Sequence, residues 1–167
     1  MVFFETPANP NLRVIDIKAV SDKAHSVGAL SVVDNTFCTP ALQRPLEHGA
    51  NLVVHSATKY LGGHGDLLAG VVVGNHDLVH QIRQHGLRYM TGATISPMTA
   101  FLVMRGLKTL ELRMERHCDS ALEVAGLLSN HPAVAWTTHP WLDDFPQAEI
   151  ARRQMIQGGG LVSFELH

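Results

Sequence analysis

Lys59 is the residue with the clearest chemical potential in this sequence. It lies in Ser56-Ala57-Thr58-Lys59-Tyr60, which closes the apolar run Leu52-Val53-Val54 and opens into Gly62-Gly63-His64-Gly65-Asp66. An amine placed between small hydroxyl residues, past a buried strand and before a glycine cluster, is poorly explained as a surface charge. Burial and neighbouring dipoles lower the pKa of such an amine, so that it can attack a carbonyl and form an imine. Asp34, in Val32-Val33-Asp34-Asn35-Thr36, is a carboxylate able to pair with a protonated ring nitrogen. The hydroxyls of Ser56 and Thr58, beside a glycine-rich turn, suit donation to a phosphate.

The elements that must position these groups follow from the apolar pattern. Val2 to Phe4 reads as a strand, ended by the polar, proline-rich loop Glu5-Thr6-Pro7-Ala8-Asn9-Pro10-Asn11. From Asp16 to Val27 the positions Ile17, Val20, Ala24 and Val27 recur at helical spacing, with Gly28 as the stop. Leu30 to Val33 is a second strand, Ala41 to His48 a brief helix, Leu52 to His55 a third strand, and Leu67 to Val73 a fourth closed by Gly74. This alternation predicts an α/β fold with a mostly parallel sheet covered by helices. In open α/β sheets, ligands bind outside the carboxyl ends of the strands. Asn9 after the first strand, Asp34 after the second, and Ser56, Thr58 and Lys59 after the third are therefore expected to converge on one crevice.

Further along, Asp77 to His85 reads as helix and Gly86 to Ser96 as a loop. Pro97 to Leu128 reads as one long helix, with Arg105, Lys108, Arg113 and Arg116 on its solvated or interface face. Val134 to Thr138 is a strand, Gln147 to Gln157 a short helix, and Gly160 to Leu166 a last strand. The expected division is residues 1–114 as part of a large ligand-binding domain, and 115–167 as the end of a linking helix and the beginning of a small α+β domain. A strand at each terminus suggests a piece of a longer architecture.

Composition narrows the function classes. The 167 residues are 46% hydrophobic and carry a formal net charge of −2, with basic residues scattered along the chain. That gives no footprint for nucleic acid or for an anionic membrane surface. No apolar run reaches the roughly 20 residues that span a bilayer. Cys38 and Cys118 are too few for a disulfide framework, which fits a reducing, cytoplasmic setting. Gly63-His64-Gly65 is followed by Leu68 where the dinucleotide fingerprint needs a third glycine. His76 and His80 stand at i, i+4 without a third metal ligand, and no metal site is expected. His117 and Cys118 lack an acidic partner placed by the sequence.

Taken alone, a lysine after a strand is usually solvated, and Asp34 before Asn35 and Thr36 is more often a turn or cap residue. Their joint placement at successive strand ends argues otherwise. An imine-forming lysine, an acid for a pyridinium nitrogen and hydroxyl donors for a phosphate are together the requirements of pyridoxal 5'-phosphate.

Longer stretches carry a family resemblance. Glu5-Thr6-Pro7-Ala8-Asn9-Pro10, Val32-Val33-Asp34-Asn35-Thr36, the run from Val53 through Ser56-Ala57-Thr58-Lys59-Tyr60 to Gly63-His64-Gly65-Asp66, and Arg105-Gly106-Leu107-Lys108-Thr109-Leu110 closely resemble the Cys/Met-metabolism group of fold-type-I pyridoxal-phosphate enzymes. The resemblance implies an aminotransferase-like large domain, with Lys59 as the cofactor lysine that also shuttles protons. By the same carry-over, Asp34 pairs with the pyridinium nitrogen, Ser56 and Thr58 are phosphate ligands, and Asn9 contacts the cofactor's phenolic oxygen. The segments at Arg44-Pro45-Leu46, Met90-Thr91-Gly92-Ala93 and Leu112 to Cys118 are most similar to the methionine γ-lyase branch, although Arg88-Tyr89 stands where that branch commonly has Lys-Asp. The implied reaction is α,γ-elimination of methionine to methanethiol, 2-oxobutanoate and ammonia. The implied alternatives are γ-replacement, as in cystathionine γ-synthase or O-acylhomoserine sulfhydrylase, and a catalytically silent fragment. The chain matches the middle of such enzymes. The glycine-rich phosphate loop, the stacking tyrosine and the carboxylate-gripping arginine belong to portions it lacks. Family members are homotetramers of active-site dimers, so self-association is expected.

Overall fold

The computed structural model describes residues 1–167. Its main sheet has four strands in the order β1-β2-β3-β4, formed by Val2–Glu5, Ser31–Asp34, Leu52–Ser56 and Gly70–Gly74. The first three run parallel: Val2 aligns with Ser31 and Glu5 with Asp34, while Val32 aligns with Leu52 and Asp34 with Val54. β4 is antiparallel to β3, with Ser56 opposite Gly70 and Leu52 opposite Gly74. The expected mostly parallel sheet is present, and its edge strand is reversed. The physical reason is the connection: residues 57–69 contain the lysine turn and the glycine cluster but no crossover helix, which a parallel return would need.

α1 (Ile17–Ser26) crosses between β1 and β2. The Asp16 side chain caps it by accepting from the Ala19 amide at 3.0 Å, and Gly28, at φ +70°, turns the chain after its end. Ile17, Ser21 and Ala24 are its buried face, and Ile17 packs with Val33, Ala50 and Phe4 in a small core. α2 (Thr39–Leu42) and a 3-10 turn (Pro45–His48) replace the single brief helix expected over 41–48. Gln43, between them, is drawn into buried hydrogen bonds that a continuous helix would not permit.

α3 (His76–Gln81) runs on into a wider π-type helix at Ile82–Thr91, so the stretch read as a loop from Gly86 is helical as far as Thr91. The long helix expected from Pro97 is two helices, α4 (Pro97–Leu107) and α5 (Leu110–Ser129), broken at Lys108 and Thr109. β5 (Val134–Thr138) and β6 (Ser163–Leu166) form a separate antiparallel pair, and α6 (Ala148–Gln154) lies between them in sequence.

The principal core joins these parts: Val14, Cys38, Leu42, Ala57 and Leu61 pack with Val103, Leu110, Met114, Cys118, Phe145, Ala151 and Met155. No helix is long and apolar enough to cross a membrane.

Candidate functional site

Because β1, β2 and β3 are parallel, their carboxyl ends share one edge of the sheet, and β4 begins at that edge beside Ser56. Side chains alternate along each strand and aligned residues share a face. Asp34 therefore lies on the same face as Val54 and Ser56, while Val33, Val53 and His55 occupy the other.

Asp34 is held through Thr36. Its Oδ1 accepts from the Thr36 amide at 2.9 Å and from the Thr36 hydroxyl at 2.6 Å. The same hydroxyl accepts from the Ser56 amide at 2.8 Å, which ties the end of β2 to the end of β3. Asp34 Oδ2 has no hydrogen-bond partner, so one carboxylate oxygen is fixed and the other is free to accept. Asn35, next in sequence, is fully buried. Its side-chain amide donates to Thr39 O at 3.1 Å and Gln43 O at 2.8 Å, and accepts from Gln43 Nε2 at 2.8 Å. The carboxylate thus projects from a peptide anchored on both sides.

Beyond β3, Lys59 sits inside a compact turn. Its amide donates to Ser56 O at 3.1 Å, and its carbonyl accepts from the Gly63 amide at 2.7 Å. The Lys59 side chain is exposed and its ammonium takes part in no ion pair. Burial was the expected means of activating this amine, and within this chain nothing covers it. Ser56 is half-buried with its hydroxyl unpartnered. The Thr58 hydroxyl is engaged with β4, donating to Ala69 O at 3.4 Å and accepting from the Ala69 amide at 3.2 Å. Asn9 is exposed at the same edge. Its amide donates to Glu5 Oε2 at 3.1 Å, and its side chain bonds to none of the other site residues.

The structure thus brings Asp34, Thr36 and Ser56 into direct contact, with Thr58 and Lys59 in the adjoining turn and Asn9 apart at the same edge. Thr36 and Arg113 are the residues that sequence reasoning missed. The Asp-x-Thr spacing was a usable signal for the first. Arg113, expected on a solvated or interface face, meets the lysine turn: it donates from Nη1 to Tyr60 O at 2.9 Å, from Nη2 to Gly106 O at 2.8 Å and from Nε to Thr109 Oγ1 at 3.1 Å. Burial of this guanidinium lowers its pKa from the usual arginine value. No sequence signal separated it from its basic neighbours.

Three further titratable groups, one histidine and two cysteines, are shifted by burial. His55, on the opposite face, lines a cavity of about 370 Å³ with Val53, Val71, Val73, Val103 and Leu107. It is buried, its Nδ1 has no partner, and desolvation pushes its pKa below the ordinary 6.5. Burial raises the thiol pKa of both Cys38 and Cys118, which makes them inert core residues.

The family described as Cys/Met metabolism PLP-dependent enzyme matches residues 1–167. An L-methionine gamma-lyase of Pseudomonas deceptionensis is 58% identical over 167 residues, covering 99% of this chain, and the chain spans only 42% of that relative's length. Among solved structures, cystathionine gamma synthase from Xanthomonas oryzae pv. oryzae, in complex with aminoacrylate and cysteine, superposes with a TM-score of 0.95 at 45% identity. The match covers 99% of this chain and 43% of that one. Apo CalE6, a methionine gamma lyase from Micromonospora echinospora, superposes with a TM-score of 0.94 at 40% identity, over 99% of this chain and 45% of that one. The expected fold-type-I architecture is borne out by these superpositions.

Proposed function

The chain belongs to the Cys/Met-metabolism PLP-dependent enzymes, and from that premise we propose that it carries the cofactor-holding part of a methionine γ-lyase. The overall reaction takes methionine and water to methanethiol, 2-oxobutanoate and ammonia. The observation that carries this reading is the pair Asp34 and Ser56 on one sheet face, locked together through Thr36, with the unpaired Lys59 amine in the next turn.

The donor set suits pyridoxal phosphate on the structure's own terms. Asp34 has one oxygen fixed and one free to accept from a protonated ring nitrogen, and the Ser56 hydroxyl is free to donate to a phosphate. Thr58 would join Ser56 if its hydroxyl proton turned from Ala69 O, and Asn9 is available for the phenolic oxygen. Lys59 would hold the cofactor covalently. When bound, the cofactor supplies an electron sink for the pair left at the substrate's α-carbon. Asp34 would keep the ring nitrogen protonated and so sustain that sink. Lys59 Nζ, displaced by the substrate amine, would take the α-proton and then move protons at the next carbon as the thiol leaves. A cytoplasmic setting belongs to the same reading, supported by two free, buried cysteines. So does self-association, supported by Met98, Phe101 and Met104, all more than 60% exposed along α4.

The reading is tested by incubating the chain with pyridoxal phosphate, reducing with borohydride and locating the adduct by mass spectrometry. The adduct is expected on Lys59 and is lost in Lys59→Ala. An adduct that persists undiminished in that variant refutes it. A second reading, γ-replacement, is compatible with the superposition on a cystathionine γ-synthase, and Arg88-Tyr89 departs from the Lys-Asp common in the methionine γ-lyase branch. Faster consumption of an O-acylhomoserine with a thiol than of methionine, by protein competent for turnover, would select it. The exposed Lys59 supports a third state, in which the chain alone binds cofactor without turnover, and methanethiol release by the pure chain would exclude that state.

A further inference from the structure

We propose that Arg113 is a positioning residue for Lys59, clamping the lysine turn onto the break between α4 and α5. The proposal rests on the reading of Lys59 as the cofactor lysine, and it concerns how that turn is kept in place.

Three independent features meet at this point. The first is the guanidinium itself. It reaches Tyr60 O, the carbonyl immediately after Lys59, and two groups at the helix break, Gly106 O and Thr109 Oγ1. All three acceptors are uncharged, and Arg113 takes part in no salt bridge. Its charge instead rests on the carbonyl-rich end of α4, where a cation is favoured. A planar fork can span three acceptors at once, which an ammonium on a flexible stem does not reproduce.

The second feature is Gly63. At φ +75° its amide closes the turn on Lys59 O, and a Cβ there would run into the Arg113 guanidinium, whose Nη2 would lie 2.8 Å away. The same glycine therefore completes the lysine turn and leaves room for the arginine. The third is Gly106, in the last turn of α4. A Cβ there would collide with Gly62 O and with Leu61 O, the latter at 2.5 Å. The backbone of α4 thus lies directly against the backbone of the lysine turn. Arg105 adds an outer contact, with Nη2 3.4 Å from Asp66 Oδ2.

The helix break acquires a purpose in this arrangement. Gly106 O, at the end of α4, accepts from the Thr109 amide at 3.3 Å and the Thr109 hydroxyl at 3.4 Å and also from Arg113 Nη2 at 2.8 Å, so the arginine binds the carbonyl around which α4 ends. A lysine on a flexible stem keeps its working geometry only if its Cα is fixed. The clamp fixes the Tyr60–Leu61 peptide, one residue beyond that Cα, while the Gly63 amide holds Lys59 O and Ser56 O holds the Lys59 amide.

The test compares Arg113→Lys and Arg113→Gln with the unaltered chain by two readouts. The first is hydrogen–deuterium exchange of residues 57–63, which needs no cofactor. The second is the dissociation constant for pyridoxal phosphate, read from its visible absorption. Both variants are expected to raise exchange in the turn and to weaken cofactor binding at least tenfold, while exchange in β1 to β3 stays within twofold. Ile17→Val, in the separate core beneath α1, serves as a destabilised control and should move neither readout more than twofold. Turn exchange and cofactor binding both within twofold in Arg113→Gln would overturn the proposal, as would equal effects in the control. Should Arg113→Gln fail to fold, Thr109→Val removes one acceptor and leaves the guanidinium. A threefold rise in turn exchange is then expected, and no rise would overturn the clamp. If the turn loosens as expected while borohydride traps no cofactor on Lys59, the clamp stands and the cofactor reading fails.

Discussion

Thr36→Val is the most direct probe of how the site is assembled, because one hydroxyl serves both sides of it. Valine keeps nearly the same shape and removes only the donor to Asp34 Oδ1 at 2.6 Å and the acceptor for the Ser56 amide at 2.8 Å. A hydrogen bond to a charged group contributes roughly 1.5–3 kcal/mol, and an orphaned buried donor costs about 1–3 kcal/mol. Asp34 Oδ1 retains its bond from the Thr36 amide at 2.9 Å, and the half-buried Ser56 gives water some access to the stranded amide. The two losses should therefore sum to about 2–4 kcal/mol, toward the lower end of the simple total. Thr36→Ser keeps both bonds and gives up one methyl group, so about 0.8 kcal/mol is expected for it. Urea unfolding of the three proteins measures these differences, provided the slope of the transition is unchanged. A double-mutant cycle with Asp34→Ala isolates the link between the two residues: coupling of at least about 1 kcal/mol is expected, against nearly none for independent sites. If Thr36→Val lies within about 0.5 kcal/mol of the starting protein and the cycle is additive, the hydroxyl does not organise the site and the reasoning fails.

Acid sensitivity should trace to His55. Desolvation lowers its pKa in the folded chain below 6.5, so the unfolded chain binds a proton first as pH falls. Stability is then lost from about pH 6.5 downward, at up to about 1.4 kcal/mol per pH unit, until the depressed folded pKa is reached. His55→Leu removes a buried nitrogen without a partner, and should hold stability at pH 7 while flattening the acid limb of urea midpoints measured from pH 7 to 5. An unchanged limb would refute it. Gln43→Leu tests the buried amide network: Gln43 donates to Thr6 O at 3.0 Å and Asn35 Oδ1 at 2.8 Å, and accepts from Gln154 Nε2 at 3.1 Å. Orphaning these partners should cost about 2–4 kcal/mol in chemical unfolding, and a loss under about 1 kcal/mol would show the network to be dispensable.

Much of this architecture was legible in the residues, for reasons that also mark the limits. β2 and β3 are short, β-branched and buried, and α1 carries its own cap and stop, so local pattern located them. Parallel pairing then put Asp34 and Ser56 at a shared edge. The direction of β4 was not legible, because Val71-Val72-Val73 has the same apolar pattern whichever way it runs. The available clue was the absence of helical periodicity between Ser56 and Gly70. The break at Lys108 and Thr109 sits beside Gly106, which lies against Gly62, a contact between segments far apart in sequence that no local pattern announced. The partners of Arg113 were not legible for the same reason: which side of a helix meets the body of the protein depends on where the helix ends. Gly86 looked like a stop, yet glycine in a helix costs only about 1 kcal/mol relative to alanine, and the helix runs on to Thr91.

The reversal of β4 has a consequence for how this site can vary. Residues 57–69 leave the sheet at Ser56 and rejoin it at Gly70, directly opposite, so both ends of the excursion are fixed by one register. The half next to β3 carries the lysine, and the half next to β4 carries His64 to Leu68, where Asp66 meets Arg105 and Leu67 packs on the principal core. The excursion is therefore a loop pinned at both ends and along its return, and a substitution on the return half acts on the approach to the crevice and on the seat of the lysine turn together.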